Sequence, residues 1–404
     1  MATPSTNTNF AAQDQPEDLS VAVELKFLVP FLPRDGANLN IIGDPQLEVL
    51  DFVEHAQGVK TEDESKIWKH AFSKIANTIQ LVPNQFAFTT YELEDLKRQE
   101  RSCWASHWVV KKSNSAEPAK NHKHRDDWIW VPVEVNSPKM SRNDPNTNQI
   151  IASVMDAIKT RHCVISNYSC EVHVHIGRMD GCAFSLPTLK RIAMLVWMIE
   201  PVLRSVKDPR SPNFQHVYTW SSAAREHSRL AMDLRCGKAA YVPQAQDLNG
   251  LPRILKRYLK DPSSKASQHL DAFRFIVAAR SHVDLGRLMS GEGRPYRRLG
   301  YNFSAFGGED ERALTNPKTV ECRFLEGTMD TGTVLGWIEI FGRMIDIALD
   351  GCREEDRFAT LLLYAGERET PESDSMAFVR LMEELGISDK IYRHIQMMIQ
   401  EIHG

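Results

Sequence analysis

The chain of 404 residues is long enough for one large domain or two ordinary ones, and its hydrophobic fraction of 42% supplies ample material for a core. Its formal charge of −4 at pH 7 argues against a general attraction to nucleic acid or to an anionic membrane, which would need a basic excess. The longest apolar stretches, such as 192–199, fall far below the roughly 20 residues that span a bilayer.

The first 18 residues are polar and lack periodicity, so we expect a disordered leader there. They contain no apolar stretch of the signal-peptide type, and we expect a cytoplasmic protein. The seven cysteines are odd in number and form no CxxC pair, which suggests neither a disulfide framework nor a structural zinc site. No activating motif surrounds any of them, so mostly buried thiols are the interpretation.

Hydrophobic periodicity predicts a mixed order of strands and helices. The first strand is predicted at 20–29, where apolar residues alternate with Ala22, Glu24 and Lys26. Further strands are predicted at 128–135, 170–177, 301–306 and 319–327. Helices are predicted at 45–57, 64–80, 147–160, 186–206, 251–260, 266–279, 331–350, 353–365, 371–385 and 388–403. Residues 113–125, 207–250 and 290–300 are predicted to be loops or irregular. This order predicts an α+β fold with a largely antiparallel sheet.

Polar side chains recur at alternate positions on these strands. Two residues at i and i+2 in a strand share a face and lie roughly 6.5–7 Å apart, so both can reach one ion or adjacent phosphate oxygens. His173 and His175 in EVHVHIG are a credible ligand pair for a divalent cation. The alternative is a solvent-facing strand with two incidental histidines.

Glu321 and Arg323 form a second pair, in which the carboxylate suits a metal and the guanidinium suits a phosphate. The alternative is a surface ion pair. Glu134 in VPVEVNSP and Glu24 in VAVELKF are single strand carboxylates, for which an exposed strand position is the plain alternative. Each signal is weak by itself, whereas their order along the chain is more informative.

Taken in that order, the segments resemble the fungal and bacterial amidoligases, which are relatives of glutamine synthetase and glutamate–cysteine ligase. That family shows G-x-E-x-E, E-(L/V)-x-S-P, H-V-H-(V/I)-G, L-N-(L/F) and (V/I)-E-x-R-x-x-x-G-T-x-(D/N) segments. Here they read VELKF, VEVNSP, HVHIG, YNFSAF and VECRFLEGTMD, over roughly residues 20–350. The resemblance implies a curved, glutamine-synthetase-like, largely antiparallel sheet with helices on one face in residues 19–350, and a helical extension, 351–404, packed on the same domain.

The resemblance implies an ATP-dependent carboxylate–amine ligase that forms an amide bond through an acyl-phosphate intermediate. A carboxylate is a poor electrophile, and phosphorylation gives it a good leaving group; fixed cations then offset the charge on oxygen. The implied cofactors are ATP and Mg²⁺ or Mn²⁺, and the implied partners are a small-molecule carboxylic acid and an amine. The sequence names neither substrate, the general base nor the oligomeric state.

The resemblance also implies roles for individual residues. The implied metal ligands are Glu24, Glu134, His173 and Glu321. The implied nucleotide contacts are His175, Arg323, Asn302 and Arg298. Arg323 and Lys26 are the implied catalytic residues, with Arg323 neutralising the transferred γ-phosphoryl group. Arg298 lies in the basic, glycine-containing loop 290–298, which is either a phosphate cradle or an ordinary flexible loop.

The sequence departs from the family pattern at Lys26, where the family has its second glutamate. A lysine there replaces an anion by a cation, so it stands in for one metal, grips a phosphate or marks a site that has lost activity. Ser113 and Arg142 also stand where the family or glutamine synthetase has acidic residues. One metal ion is therefore expected rather than two or three.

Two other functions remain open from the sequence. A catalytically silent binding protein on the same fold is consistent with Lys26. A metal-dependent hydrolase could use the histidine pair and the glutamates to activate water, although no HExxH motif supports it. Dependence of turnover on ATP separates these alternatives from the ligase.

Overall fold

The computed structural model describes 18–31, 64–95, 100–122, 128–210, 223–236, 248, 251–291, 299–307, 317–350, 355–367 and 374–403. The predicted helix at 45–57, residues 1–17 of the predicted leader and Arg298 lie outside these ranges. Within them the chain forms a mixed α+β structure with a largely antiparallel open sheet and many helices. The predicted fold class is confirmed at this level.

Eight strands of the described residues form one sheet. They are β1 (Leu19–Phe31), β2 (Ala87–Thr89), β3 (Trp108–Lys112), β4 (Ile129–Asn136), β5 (Met140–Ser141), β6 (His173–Arg178), β7 (Tyr301–Asn302) and β8 (Val320–Cys322). Their order is β2-β3-β4-β1-β6-β8-β7, and β5 pairs with the start of β1. Strands β2 and β3 are parallel, and the other pairs are antiparallel. The long strand β1 therefore lies in the middle of the sheet.

The helices follow the strands in three groups. The first group is α1 (Glu64–Ile79), α2 (Thr90–Asp95), α3 (Glu100–Ser106), α4 (Asn146–Arg161) and α5 (Leu186–Leu203). The second is α6 (Ala224–His227), α7 (Arg229–Arg235), α8 (Arg253–Lys260), α9 (Leu270–Ala278), α10 (His282–Met289) and α11 (Ser304–Gly307). The third is α12 (Thr331–Asp350), α13 (Glu355–Glu367), α14 (Asp374–Leu385) and α15 (Asp389–His403). Short 3-10 helices occupy Arg204–Val206 and Lys265–His269.

One face of the sheet carries the core. On β1 the alternate residues Val21, Val23, Leu25 and Phe27 are fully buried. Helix α1 contacts β2, β3 and β4, α12 contacts β6, and α4 contacts both of these helices. The C-terminal helices pack on α5 and α12, and their apolar side chains belong to the same core as β1. Burial of this face fixes the register of the sheet, because a one-residue slip would turn it to solvent.

The other face carries the polar residues predicted from the sequence. The register places Lys26 opposite Glu134, Glu24 opposite His173, His175 opposite Glu321, and Glu321 opposite Asn302. Directly opposed residues share a face of the sheet. Segments separated by up to about 300 residues in the chain are therefore brought side by side.

Two predicted strands are wrong in extent. The predicted strand 301–306 ends at Asn302, because the Asn302 side-chain oxygen accepts a hydrogen bond from Ser304 N at 2.9 Å and α11 follows. The predicted strand 319–327 is paired over Val320–Cys322 alone. Beyond it, Arg323 N donates to Gly300 O at 2.7 Å, so the chain bends away from the sheet direction.

Three other differences concern helices and a strand start. Helix α10 was not predicted; the Ser281 hydroxyl caps it by accepting a hydrogen bond from Asp284 N at 3.1 Å. Helices α6 and α7 lie within the stretch predicted as irregular. Strand β6 begins at His173 rather than at Cys170.

The membrane and thiol predictions concern exclusions. None of the described helices combines the length and apolar composition needed to cross a bilayer. Among the described cysteines, Cys103, Cys163, Cys170 and Cys322 are buried free thiols, and Cys182 and Cys236 are exposed free thiols.

Gly327 lies where the segment after β8 crosses the loop that leads into β6. A Cβ atom at this position would collide with the Asn167 carbonyl oxygen and lie 2.5 Å from Cys170 Cβ. The sequence alone explained this glycine by turn chemistry, whereas the structure shows a close backbone approach. The crossing holds the two halves of the polar face together.

Replacing Gly327 by Ala should destabilise the folded state by about 1–3 kcal/mol, because the loop at Asn167 must move to admit the methyl group. Urea unfolding followed by circular dichroism measures the change. An unchanged midpoint would show that the loop moves aside without cost.

Glu200 is a buried carboxylate near the end of α5. Its oxygens accept hydrogen bonds from the backbone N–H groups of Ala224 at 2.6 Å and Arg225 at 2.8 Å. Burial raises the pKa of Glu200 to about 7, although these hydrogen bonds and the nearby arginines oppose the rise. The folded state therefore binds this proton more tightly than the unfolded state does.

Stability should depend on pH through Glu200. A carboxyl with a pKa near 7 when folded and 4.5 when unfolded contributes stability that is fully present below pH 4.5 and is lost as the pH rises through 7. The wild type should lose about 2–3 kcal/mol relative to Glu200→Gln between pH 5 and pH 8. Urea titrations of both proteins at several pH values measure this, and parallel pH profiles would contradict it.

Candidate functional site

The polar face of the sheet converges on His173, whose side chain is 1% exposed. Its Nδ1 lies 2.7 Å from Glu24 Oε2 and 3.0 Å from Glu321 Oε1. Its Nε2 lies 3.2 Å from Glu171 Oε2 and 3.0 Å from Lys26 Nζ. The imidazole therefore has carboxylates on both sides and contacts three elements of the structure: β1, β8 and the segment before β6.

Opposing influences act on the pKa of His173. Burial lowers it, and Arg323 and Lys26 lower it further. Hydrogen bonds to Glu171 and Glu24 raise it, and the result lies above the ordinary value. The carboxylates thus outweigh both burial and the neighbouring cations.

The two carboxylates on the other side of the ring are held ionised. Burial raises the pKa of Glu24, but hydrogen bonds to His173 and His175 bring it well below the usual range. Burial raises the pKa of Glu321 as well, and the charge on Arg323 is the largest of the influences that bring it well below the usual range. Two anionic oxygen donors are therefore available side by side.

His175 lies nearer to solvent than His173. Its Nε2 is 3.2 Å from Glu24 Oε1 and 3.8 Å from Glu321 Oε1, and its Nδ1 is 3.3 Å from Thr319 Oγ1. The side chains of Glu24 and His175 are 20% and 22% exposed, whereas Glu321 is 7% exposed. These residues line the open side of the polar face.

Glu24, His175 and Glu321 form a triad in which one ligand atom from each residue lies within 4.8 Å of the others. Carboxylate oxygens with one imidazole nitrogen are a donor set that suits Mg²⁺ or Mn²⁺. Three donors on one side of an ion leave its other positions for water or phosphate oxygens. The residues present therefore fit a divalent metal ion.

Glu134 and His173, which the sequence predicted as metal ligands, are not members of this triad. Glu134 accepts an ion pair from Lys111 at 2.9 Å and lies opposite Lys26 in the register. The structure thus brings Glu134 to the same face of the sheet, but beside lysines. Which of the predicted residues bind a metal stays a prediction.

Arg323 and Asn302 hold the Glu321 carboxylate from both oxygens. Arg323 Nη1 donates to Glu321 Oε1, and Asn302 Nδ2 donates to Oε2 at 2.6 Å. The pair of Glu321 and Arg323 is buried, so the alternative of a surface ion pair is wrong. Burial lowers the pKa of Arg323, but the carboxylates of Glu321, Glu171 and Glu24 raise it above the ordinary value.

Sequence reasoning missed two buried residues of the cluster, Glu171 and Lys207. Lys207 Nζ lies 3.5 Å from Glu171 Oε1, and both side chains are 1% exposed. Burial raises the pKa of Glu171, but the charge on Lys207 and the contact with His173 bring it well below the usual range. Glu171 continues the alternation of His173 and His175 by one step, which is a usable signal. Lys207 lies beyond α5 and has no such signal.

Fixed cations pair with three carboxylates of the cluster: Lys111 with Glu134, Lys207 with Glu171, and Arg323 with Glu321. Glu24 contacts the two histidines, and no lysine or arginine of the described residues forms an ion pair with it. Glu24 is also the partly exposed carboxylate of the triad. An added cation would therefore find its unpaired negative charge at Glu24.

A comparison with known families agrees with this polar face. The family model described as "Putative amidoligase enzyme" matches residues 54–235. The match covers a little under half of the chain and includes the VEVNSP and HVHIG segments on which the resemblance to amidoligases depends. It indicates a ligase that forms amide bonds. No curated protein and no solved structure matches the chain.

Replacing Arg323 by Met should destabilise the folded state by about 3–5 kcal/mol, because Glu321 would keep a buried charge without its guanidinium partner. The double variant Arg323→Met/Glu321→Gln should recover part of that loss, since the remaining side chain is neutral. Urea unfolding in the presence of a chelator measures both. Equal losses in the two variants would show that Arg323 stabilises the protein by packing alone.

Proposed function

We propose that this protein is an ATP-dependent carboxylate–amine ligase that forms an amide bond through an acyl phosphate, on a glutamine-synthetase-like sheet. The observation that carries the proposal is the triad of Glu24, His175 and Glu321 beside Arg323 on the polar face. The amidoligase match over 54–235 supports the reaction class. The proposed substrates are a small-molecule carboxylic acid and an amine, in the cytoplasm.

One Mg²⁺ or Mn²⁺ is proposed at the triad, with Glu24, His175 and Glu321 as its ligands. This assignment favours His175 over His173, because His175 joins the triad and faces solvent. A bound ion would supply Lewis-acid polarisation of phosphate oxygens. A single ion is consistent with the pairing of the other carboxylates by Lys111, Lys207 and Arg323.

The chain's own cations would offset the charge of the reaction. In the proposed first step a substrate carboxylate oxygen attacks the γ-phosphorus of ATP and ADP leaves. In the second step the amine attacks the acyl carbon, phosphate leaves and the amine loses a proton. Arg323 and Lys26 place two positive charges near His173, where they would stabilise negative charge on the phosphoryl oxygens. Asn302 would act by holding Glu321 in place.

A second candidate is a binding protein with the same ligands and no turnover. The observation that favours it is the contact of Lys26 with His173, which places a fixed ammonium group inside the cluster. A metal-dependent hydrolase is a third candidate, since two carboxylates and an imidazole also hold a water-activating metal. The three differ in whether ATP is consumed.

The test is ATP turnover by the purified protein with Mg²⁺ or Mn²⁺ against pooled amino acids and carboxylic acids. Substrate-stimulated release of ADP and phosphate is expected. Glu321→Ala should reduce it by more than about a hundredfold, because a ligand of the metal is lost. Glu401→Ala, at an exposed position of α15, is the matched control and should retain full turnover.

Other outcomes point to the other candidates. Release of AMP would mean an adenylating reaction and would contradict the acyl phosphate. Binding of ATP and metal without turnover would favour the binding protein, and Lys26→Glu would then test whether the lysine blocks activity. Hydrolysis of an amide without ATP would favour the hydrolase.

A further inference from the structure

We propose that Lys207 and Glu171 are positioning residues for the metal triad, which act through His173. The proposal rests on the proposed function, because it takes Glu24 and Glu321 as metal ligands. In this proposal the buried ion pair orients the His173 ring, and the ring holds the two ligand carboxylates at the spacing that an ion needs.

The contacts form a continuous line from Lys207 to the triad. Lys207 Nζ lies 3.5 Å from Glu171 Oε1, and Glu171 Oε2 lies 3.2 Å from His173 Nε2. The other ring nitrogen lies 2.7 Å from Glu24 and 3.0 Å from Glu321. His173 thus has one nitrogen toward the ion pair and one toward two ligands of the triad.

The ion pair is an expensive structure for stability alone. Glu171, His173 and Lys207 are each 1% exposed, and removing an ion from water costs several kcal/mol. Glu171 Oε1 and Lys207 Nζ have no hydrogen-bond partner among the described residues, so hydrogen bonds do not compensate for that cost. Buried pairs of this kind are often replaceable by apolar residues without loss of stability. Their contribution here is a fixed negative charge beside His173.

That charge fixes the orientation of the imidazole. With Glu171 ionised on the Nε2 side, the ring keeps its Nδ1 edge between the carboxylates of Glu24 and Glu321. Those two residues lie on β1 and β8, which are not neighbours, because β6 runs between them. Without an oriented ring, the two carboxylates would repel each other across β6 and separate. Partners that orient metal ligands typically contribute 10–100-fold to metal affinity.

The experiment is Mn²⁺ binding to the full-length protein, measured by the electron paramagnetic resonance signal of free Mn²⁺ and by calorimetry. Glu171→Gln and Lys207→Met should each weaken Mn²⁺ binding by about 10–100-fold, although neither residue belongs to the triad. Lys190→Met is the matched control, because Lys190 is also a buried lysine but its ammonium donates to the Val277 carbonyl oxygen at 2.6 Å. It should change the melting temperature without changing Mn²⁺ affinity.

A double variant separates positioning from folding. Glu171→Leu/Lys207→Met removes both charges together, so its stability should return close to that of the wild type. Its Mn²⁺ affinity should stay reduced, since the ring has lost its charged partner. Ring signals of His173 in ¹⁵N-histidine-labelled protein should shift in this variant, because the environment of Nε2 changes.

Two results would overturn the proposal. Wild-type Mn²⁺ affinity in Glu171→Gln and Lys207→Met, or its recovery in the stable double variant, would show that the pair acts on folding alone; the metal site would stand. Absence of Mn²⁺ binding in the wild type itself would overturn the proposed metal site, and the positioning role with it.

Discussion

The site depends on one contact, the His173 imidazole between carboxylates from different parts of the chain. Four glutamates on or beside one sheet face would repel one another strongly at low dielectric. The ring offers a nitrogen to Glu24 and Glu321 on one side and another to Glu171 on the other. Because β6 lies between β1 and β8, a residue of β6 is the natural bridge between ligands on those two strands.

The rest of the architecture serves to keep that contact in place. The apolar face of β1 is packed against helices, which fixes the register, and the register sets Glu24 opposite His173 and His175 opposite Glu321. Arg323 and Asn302 then hold both oxygens of Glu321. The charges of the cluster are thus fixed by the backbone of a rigid sheet, as electrostatic preorganisation requires.

Local patterns in the sequence were sufficient for the parts of the site that follow strand geometry. Alternation identified Glu24, His173, His175 and Glu321, and helical periodicity predicted 331–350 with the observed bounds. Alternation does not determine which histidine faces the carboxylates and which faces solvent, because both share a face. The side-chain bond that ends β7 at Asn302 and the arrival of Lys207 beside Glu171 are tertiary contacts without any local signal.

The central position of β1 has a consequence for synthesis of the protein. The contact between Glu24 and His173 spans 149 residues, so β1 leaves the ribosome long before the strands that flank it. Non-local strand pairing is slow, and an alternating apolar strand that waits unpaired is prone to aggregation. The residues that give the protein its site therefore also make its nascent chain dependent on chaperones.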